Sequence, residues 1–181
     1  MKTESRITSM VGRVGLEEQG RRRMSDKIEY SLRSANEVDA ARVAALVHAA
    51  YVHYVERIGM PPRPMTDDYS EVISNQEVIV AESHGTIVGV IVLTVDEEGF
   101  LIDNVAVDPS HRGKGLGKAL LEFAEAEARR AGFDSIYLYT HEKMTENLTL
   151  YSRIGYVEYD RRSQEDFSLV FMRKHLMNDD A

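Results

Sequence analysis

Seven consecutive residues concentrate the chemistry in this chain: Arg112-Gly113-Lys114-Gly115-Leu116-Gly117-Lys118. They follow an apolar run that stops at Asp108-Pro109 and they open into an amphipathic helical pattern. Glycines let backbone N–H groups converge without Cβ interference, and a helix start adds partial positive charge. A turn of this kind suits a phosphate or pyrophosphate. Two familiar phosphate loops fail on spacing. A Walker loop has four residues between its glycines and then Lys-Ser/Thr, whereas Gly113 and Gly117 enclose three and Lys118 is followed by Ala119. The dinucleotide fingerprint G-x-G-x-x-G opens a βαβ unit, whereas this chain has G-x-G-x-G late in its sequence, behind a basic residue.

A second motif, Leu150-Tyr151-Ser152-Arg153-Ile154-Gly155-Tyr156, lies about one helix and one strand downstream. The pair resembles the GCN5-related N-acetyltransferase (GNAT) family over roughly Ile28 to Leu176. That family's acetyl-CoA loop reads Arg/Gln-x-x-Gly-x-Gly/Ala, matched here by Arg112, Gly115 and Gly117, and its second element reads Leu-Tyr-x-x-x-Gly-Phe. Acyl transfer to an amine requires a held thioester, a stabilised carbonyl oxygen, an amine that loses its proton and a thiolate that gains one. The resemblance distributes these tasks. Arg112 to Lys118 would hold the pyrophosphate of acetyl-CoA, mostly through the N–H groups of Gly113, Lys114, Gly115, Leu116 and Gly117. The backbone of Val105, Ala106 and Val107 would pair with the pantetheine arm like an added strand, their side chains remaining core. Tyr151 would protonate the departing thiolate.

The chain also departs from the family pattern. The usual asparagine seven residues before the tyrosine is Met144 here, while Asn147 stands at i−4 and shares the face of Tyr151. Asn147 would serve as a substitute polar contact to the cofactor or as a local cap for Thr145-Glu146. Some relatives carry a glutamate twelve residues before the tyrosine; that position is Tyr139. Asp103 is then the best carboxylate for deprotonating the amine, with His141 and Glu142 behind it, and a paired structural carboxylate is the competing reading. His48, Tyr51, His53 and Tyr54 fall where the family caps its acceptor pocket, although helical aromatic stripes more often belong to a core.

The implied activity is direct transfer of an acetyl group from acetyl-CoA to a primary amine of a small molecule or peptide. A non-catalytic acyl-CoA-binding or regulatory module, and an acyltransferase with another acyl group or acceptor, stay open. There is no cysteine, which excludes an acetyl-cysteine intermediate, disulfides and thiolate metal sites. The six histidines show no metal spacing, so no metal is expected. Net charge is −8; residues 1–27 hold seven Lys/Arg against four Asp/Glu, and the remainder fifteen against twenty-six. Such an acidic domain disfavours nucleic acid and is compatible with a cationic acceptor. The longest apolar run, Val88 to Leu93, is too short to span a bilayer. The expectation is a cytoplasmic transferase with no membrane partner, a homodimer being compatible.

At 181 residues the chain fits one domain with a full core. Residues 1–27 read as an extension, flexible or non-native, before a catalytic domain over 28–176 and a tail over 177–181. Strands are expected over 28–33, 77–82, 86–96, 100–108, 135–140, 157–162 and 167–173. Helices are expected from Asn36 to Val47, around Tyr51 to Ile58, over 67–74, 115–131 and 145–153, with Pro61-Pro62-Arg63-Pro64 as a breaking loop. The sum is α+β: a single GNAT-type domain whose central, mostly antiparallel twisted sheet is flanked by helices.

Overall fold

The computed structural model describes residues 28–164 and 167–176. The expected extension at 1–27 and tail at 177–181 lie outside them. The chain builds β1 (Ser31–Ser34), α1 (Ala40–Ile58), α2 (Tyr69–Asn75), β2 (Glu77–Ser83), β3 (Thr86–Asp96) and β4 (Gly99–Val107). It continues through α3 (Leu116–Arg130), β5 (Ser135–His141), α4 (Thr145–Arg153), β6 (Val157–Gln164) and β7 (Phe167–His175). The seven strands form one sheet in the order β1-β2-β3-β4-β5-β7-β6. All its pairings are antiparallel except β4 with β5.

Two expected helices, 36–47 and 51–58, are one. Between Val47 and Tyr51 stand His48, Ala49 and Ala50, none of which breaks a helix, so the backbone runs on. Asn36 does cap, but it caps a 3₁₀ turn, Glu37–Asp39, that feeds α1; Asn36 and Asp39 form a reciprocal capping box. Val38, inside the expected helix, lies in that turn instead and is exposed. Gly59 in the left-handed region (φ 93°) stops α1.

The helices divide between the faces of the sheet. Leu116, Leu120, Phe123, Ala124 and Ala128 of α3 pack with Ile79, Ile91, Ile102, Ile136 and Leu138 on one face. Val43, Leu46, Val47, Ala50 and Tyr54 of α1 pack with Val78, Val80, Val90 and Ala106 on the other. Apolar strand runs are thus buried from both sides in the middle of the sheet.

Two features of β4 open a site. Opposite Val92 and Leu93 stand Asn104 and Ile102, so Asp103 is an extra, unpaired residue, a β-bulge. Pairing of β4 with β5 covers only Phe100–Ile102 against Ile136–Leu138. Beyond that point the two strands diverge, and Asp103 to Val107 present an edge unpaired with β5.

Candidate functional site

Beyond Ile102 the edge of β4 is unpaired with β5, and the glycine turn follows the end of that edge. β4 ends at Val107, Asp108 caps a 3₁₀ turn over Pro109–His111, and α3 begins at Leu116. Gly113 and Gly115 take positive φ, 75° and 82°, which a side chain would oppose. The first α3 amide that meets a backbone acceptor is Ala119, bonded to the Gly115 carbonyl at 3.0 Å. Among the described residues, no backbone carbonyl meets the N–H groups of Gly113, Lys114, Gly115, Leu116, Gly117 or Lys118. Six consecutive donors at a helix start, most of them exposed, make an anion cradle.

Two arginines fasten this turn to α1. Arg112 Nη2 donates to the Ala50 carbonyl at 2.5 Å. Arg42 Nη2 reaches the Ile87 carbonyl at 2.8 Å and Asp108 Oδ2 at 3.2 Å. The Arg112 side chain, expected at the anion, is thus partly committed to holding the loop. Lys114 and Lys118 stay exposed, Lys118 lying 3.6 Å from Glu122 one turn on.

Val105 and Val107 pack into the α3-side core and Ala106 into the α1-side core, so these three side chains are structural and it is their backbone that forms the unpaired edge. A buried network fixes that backbone. Tyr51 Oη lies 2.7 Å from Asn104 Oδ1 and 3.1 Å from the Val105 carbonyl. Asn104 Nδ2 donates to Tyr69 Oη at 3.0 Å, and Tyr69 donates to the Pro64 carbonyl at 3.0 Å. One chain of donors and acceptors links α1, β4, α2 and the 59–68 loop, the single Tyr51 proton being shared between Asn104 Oδ1 and the Val105 carbonyl. Sequence reasoning missed Asn104 and Tyr69. The available signal was two adjacent polar residues, Asp103-Asn104, inside an apolar strand.

Tyr151 is buried on α4, its ring 6.1 Å from that of Tyr156. Burial, and then the nearby Tyr54 phenol, push its pKa well above the ordinary tyrosine value. Burial does the same for Tyr51, which also senses Tyr151. Tyr51, Tyr54 and Tyr151 therefore gather three protonated phenols from α1 and α4. His48 and His53, grouped with them in sequence, are exposed instead, because helix geometry sends them to the outer face; His53 stacks on Tyr54 at 3.9 Å.

Asn147 Oδ1 lies 3.5 Å from Tyr54 Oη, and its Nδ2 lies 3.6 Å from Met144 Sδ. These contacts face α1, and α4 starts without a side-chain cap, so Asn147 does not cap Thr145-Glu146. Met144 is a buried core residue that also receives Thr140 Oγ1 at 3.3 Å.

Asp103 shows its paired character. Its Oδ1 accepts from Arg63 Nη2 at 2.5 Å and from Tyr139 Oη at 3.2 Å. Burial first, and then the Asp103 charge, raise the Tyr139 phenol to about 12. His141, also on β5, is buried against Phe167, and its Nδ1 accepts from the Lys143 amide at 3.1 Å. Burial lowers its pKa below the ordinary histidine value. Glu142 turns outward to Arg161 at 3.1 Å and does not join Asp103. Among the described residues no helix is long and apolar enough to cross a membrane.

Comparison with known proteins agrees with this architecture. Residues 74–158, from the end of α2 to the start of β6, match the acetyltransferase (GNAT) domain. An IAA acetyltransferase of Azospirillum brasilense is 34% identical over 82 residues, 44% of this chain and 54% of that protein. A mycothiol acetyltransferase of Propionibacterium freudenreichii subsp. shermanii is 30% identical over 126 residues, 65% of this chain and 40% of that protein. The chain thus spans about half the length, or less, of these curated relatives. The PaiA N-acetyltransferase of Thermoplasma acidophilum, solved with coenzyme A, shares the fold at a TM-score of 0.66 and 17% identity, over 84% of this chain and 99% of that one. Residues 74–158, with the parted β4 and β5 and the glycine turn at the start of α3, thus carry the features of a GCN5-related N-acetyltransferase (GNAT) domain.

Proposed function

We propose that this protein transfers an acetyl group from acetyl-CoA directly to a primary amine. The observation that carries this reading is one juxtaposition: six free amides at 113–118 lie at the end of a β4 edge that β5 has left unpaired. The amides fit a pyrophosphate and the edge fits an amide-bearing arm in extended form. The coenzyme A in the Thermoplasma acidophilum structure, on a shared fold, supports the same reading. Acetyl-CoA supplies a thioester, whose carbonyl carbon is the electrophile.

The chain's own residues then divide the work. Arg112 holds the turn, and the amides of Gly113 to Lys118 bind the pyrophosphate. The backbone of Val105, Ala106 and Val107 aligns the arm, with the carbonyl of Val105 kept in place by Tyr51. A β4 amide stabilises the thioester oxygen as charge develops on it. Tyr151, kept protonated by burial, donates to the leaving sulfur. Asn147, one turn before it, adds a polar contact at the same mouth. Asp103 takes the amine proton; its two hydrogen bonds both land on Oδ1, which leaves Oδ2 for the acceptor. With no cysteine in the chain, an acetyl-cysteine relay has no carrier.

The deciding experiment is a thiol-release screen of diverse amines with acetyl-CoA. Acceptor-dependent release with an acetylated amine as product is expected. Tight acetyl-CoA binding without release on any amine would make the protein a binding module instead.

A further inference from the structure

Arg63 stands on the 59–68 loop, directly over the bulged residue of β4. Its Nη2 lies 2.5 Å from Asp103 Oδ1 and its Nη1 lies 3.7 Å from Asp67 Oδ2. The two partners of the pair differ in exposure. The Asp103 side chain is 8% exposed and the Arg63 side chain 45%, so the guanidinium is the lid on the carboxylate. The loop that carries it is held at its far side by the Tyr69–Pro64 bond, and at its near side follows Gly59, where nothing lies within 4 Å of an added Cβ.

Two carboxylates share one guanidinium here. Asp67 is the poorly served one: burial, and then the Asp103 charge, raise its pKa against the pull of Arg63. One negative charge in the cluster is uncompensated, and Tyr139, Tyr69 and Asn104 around it are neutral donors. A second cation would complete the set.

We propose that Arg63 is a displaceable internal counterion that makes this site selective for cationic acceptors. Without acceptor it covers Asp103. An incoming amine in its ammonium form takes the place of the guanidinium on Asp103, which then accepts its proton, and Arg63 shifts to Asp67, its partner four residues along. An acceptor lacking positive charge has no means of displacing it. The acceptor class is therefore an alkyl amine that arrives protonated, or a larger molecule that presents such a group. This deepens the acetyltransferase reading and rests on it for the position of the acceptor.

The test uses the full chain, acetyl-CoA and the best cationic amine from the thiol-release screen. Arg63→Gln removes the competing cation, so the acceptor KM should fall about threefold, the effect of no longer breaking a half-exposed ion pair. Asp67→Asn removes the second seat, so the acceptor KM should rise by about the same factor. The KM for acetyl-CoA should stay constant in both, and melting curves confirm that both variants fold. A purely structural Arg63 would give no opposed change in KM, and either an unchanged or a raised acceptor KM in Arg63→Gln overturns the proposal. A rise confined to amines that carry a carboxylate would make Arg63 an anion anchor and overturn it as well. Absence of release on every amine would sink the acetyltransferase reading, and the counterion is then read by NMR. Putrescine should move the Arg63 side-chain N–H resonances in wild type and leave them nearly still in Asp67→Asn; no movement in wild type overturns it.

Discussion

The Tyr151 phenol owes its character to burial among aromatic rings, with Tyr54 as its nearest electrostatic influence. Burial disfavours the phenolate, so the group stays protonated above its ordinary value of 10.0 and is ready to donate throughout the neutral range. Tyr151→Phe keeps the ring and its packing while removing the proton. Melting temperature and acetyl-CoA affinity should barely change, and kcat should fall at least about tenfold, general acid catalysis being worth 10²–10⁴-fold. The alkaline limb of the kcat profile should lie above the ordinary tyrosine range in wild type and be absent in the variant. A Phe variant with wild-type kcat would remove Tyr151 as the acid. At this scale the sequence marked Tyr151 through its motif but left Arg63 as one residue in a proline-rich loop. Only the approach of that loop to β4 gave Arg63 a partner 40 positions away.

Among the elements, the turn into α3 separates what the fold needs from what a ligand needs. Gly113 and Gly115 are demanded by backbone conformation. Gly117 is not: an added Cβ there would meet only Val107 Cγ2 at 3.7 Å, an ordinary contact. Alanine at this position in the first turn should even help the helix, by up to about 1 kcal/mol. Gly117→Ala should therefore melt no lower than wild type, yet bind acetyl-CoA at least about tenfold more weakly by calorimetry, a loss of about 1.4 kcal/mol. Unchanged affinity would take the turn out of the binding site. The element boundaries followed their local signals closely from β2 to β7. The early helices did not, because a change of composition near Tyr51 resembles an end where no breaking residue supplies one.

Over the whole molecule, the parted sheet must be held together by something other than strand pairing. β4 and β5 share only three registered pairs, Phe100–Ile102 with Ile136–Leu138. α3 underlies both strands, and its core includes residues of β3, β4, β5 and β7. A buried ion pair adds to this: Lys174 Nζ of β7 lies 2.8 Å from both carboxylate oxygens of Glu125 on α3. Lys174→Met would leave the Glu125 carboxylate buried and uncompensated. The expected loss is about 2–3 kcal/mol, at the low end for buried pairs because Lys174 keeps some exposure. For a chain of this size that is a fall of roughly 5–10 °C in Tm. Glu125→Leu combined with Lys174→Met should recover much of it, since a buried pair replaced by apolar side chains costs little. A Lys174→Met variant that melts with wild type would show that the core of α3 alone holds the two halves.

The sequence by itself determined the α+β class, the strands from Glu77 onward, the glycine turn and the helix that carries Tyr151. Each of these is written in local pattern: alternation, helical period, positive-φ glycines and motif spacing. The tertiary structure decided the β4 bulge that turns Asp103 toward Arg63, the Tyr51–Asn104–Tyr69 network and the commitment of Arg112 to Ala50. The partners in these contacts stand 35 to 62 residues apart. No local period encodes such a distance; it exists only once α1, the 59–68 loop and β4 have packed against one another.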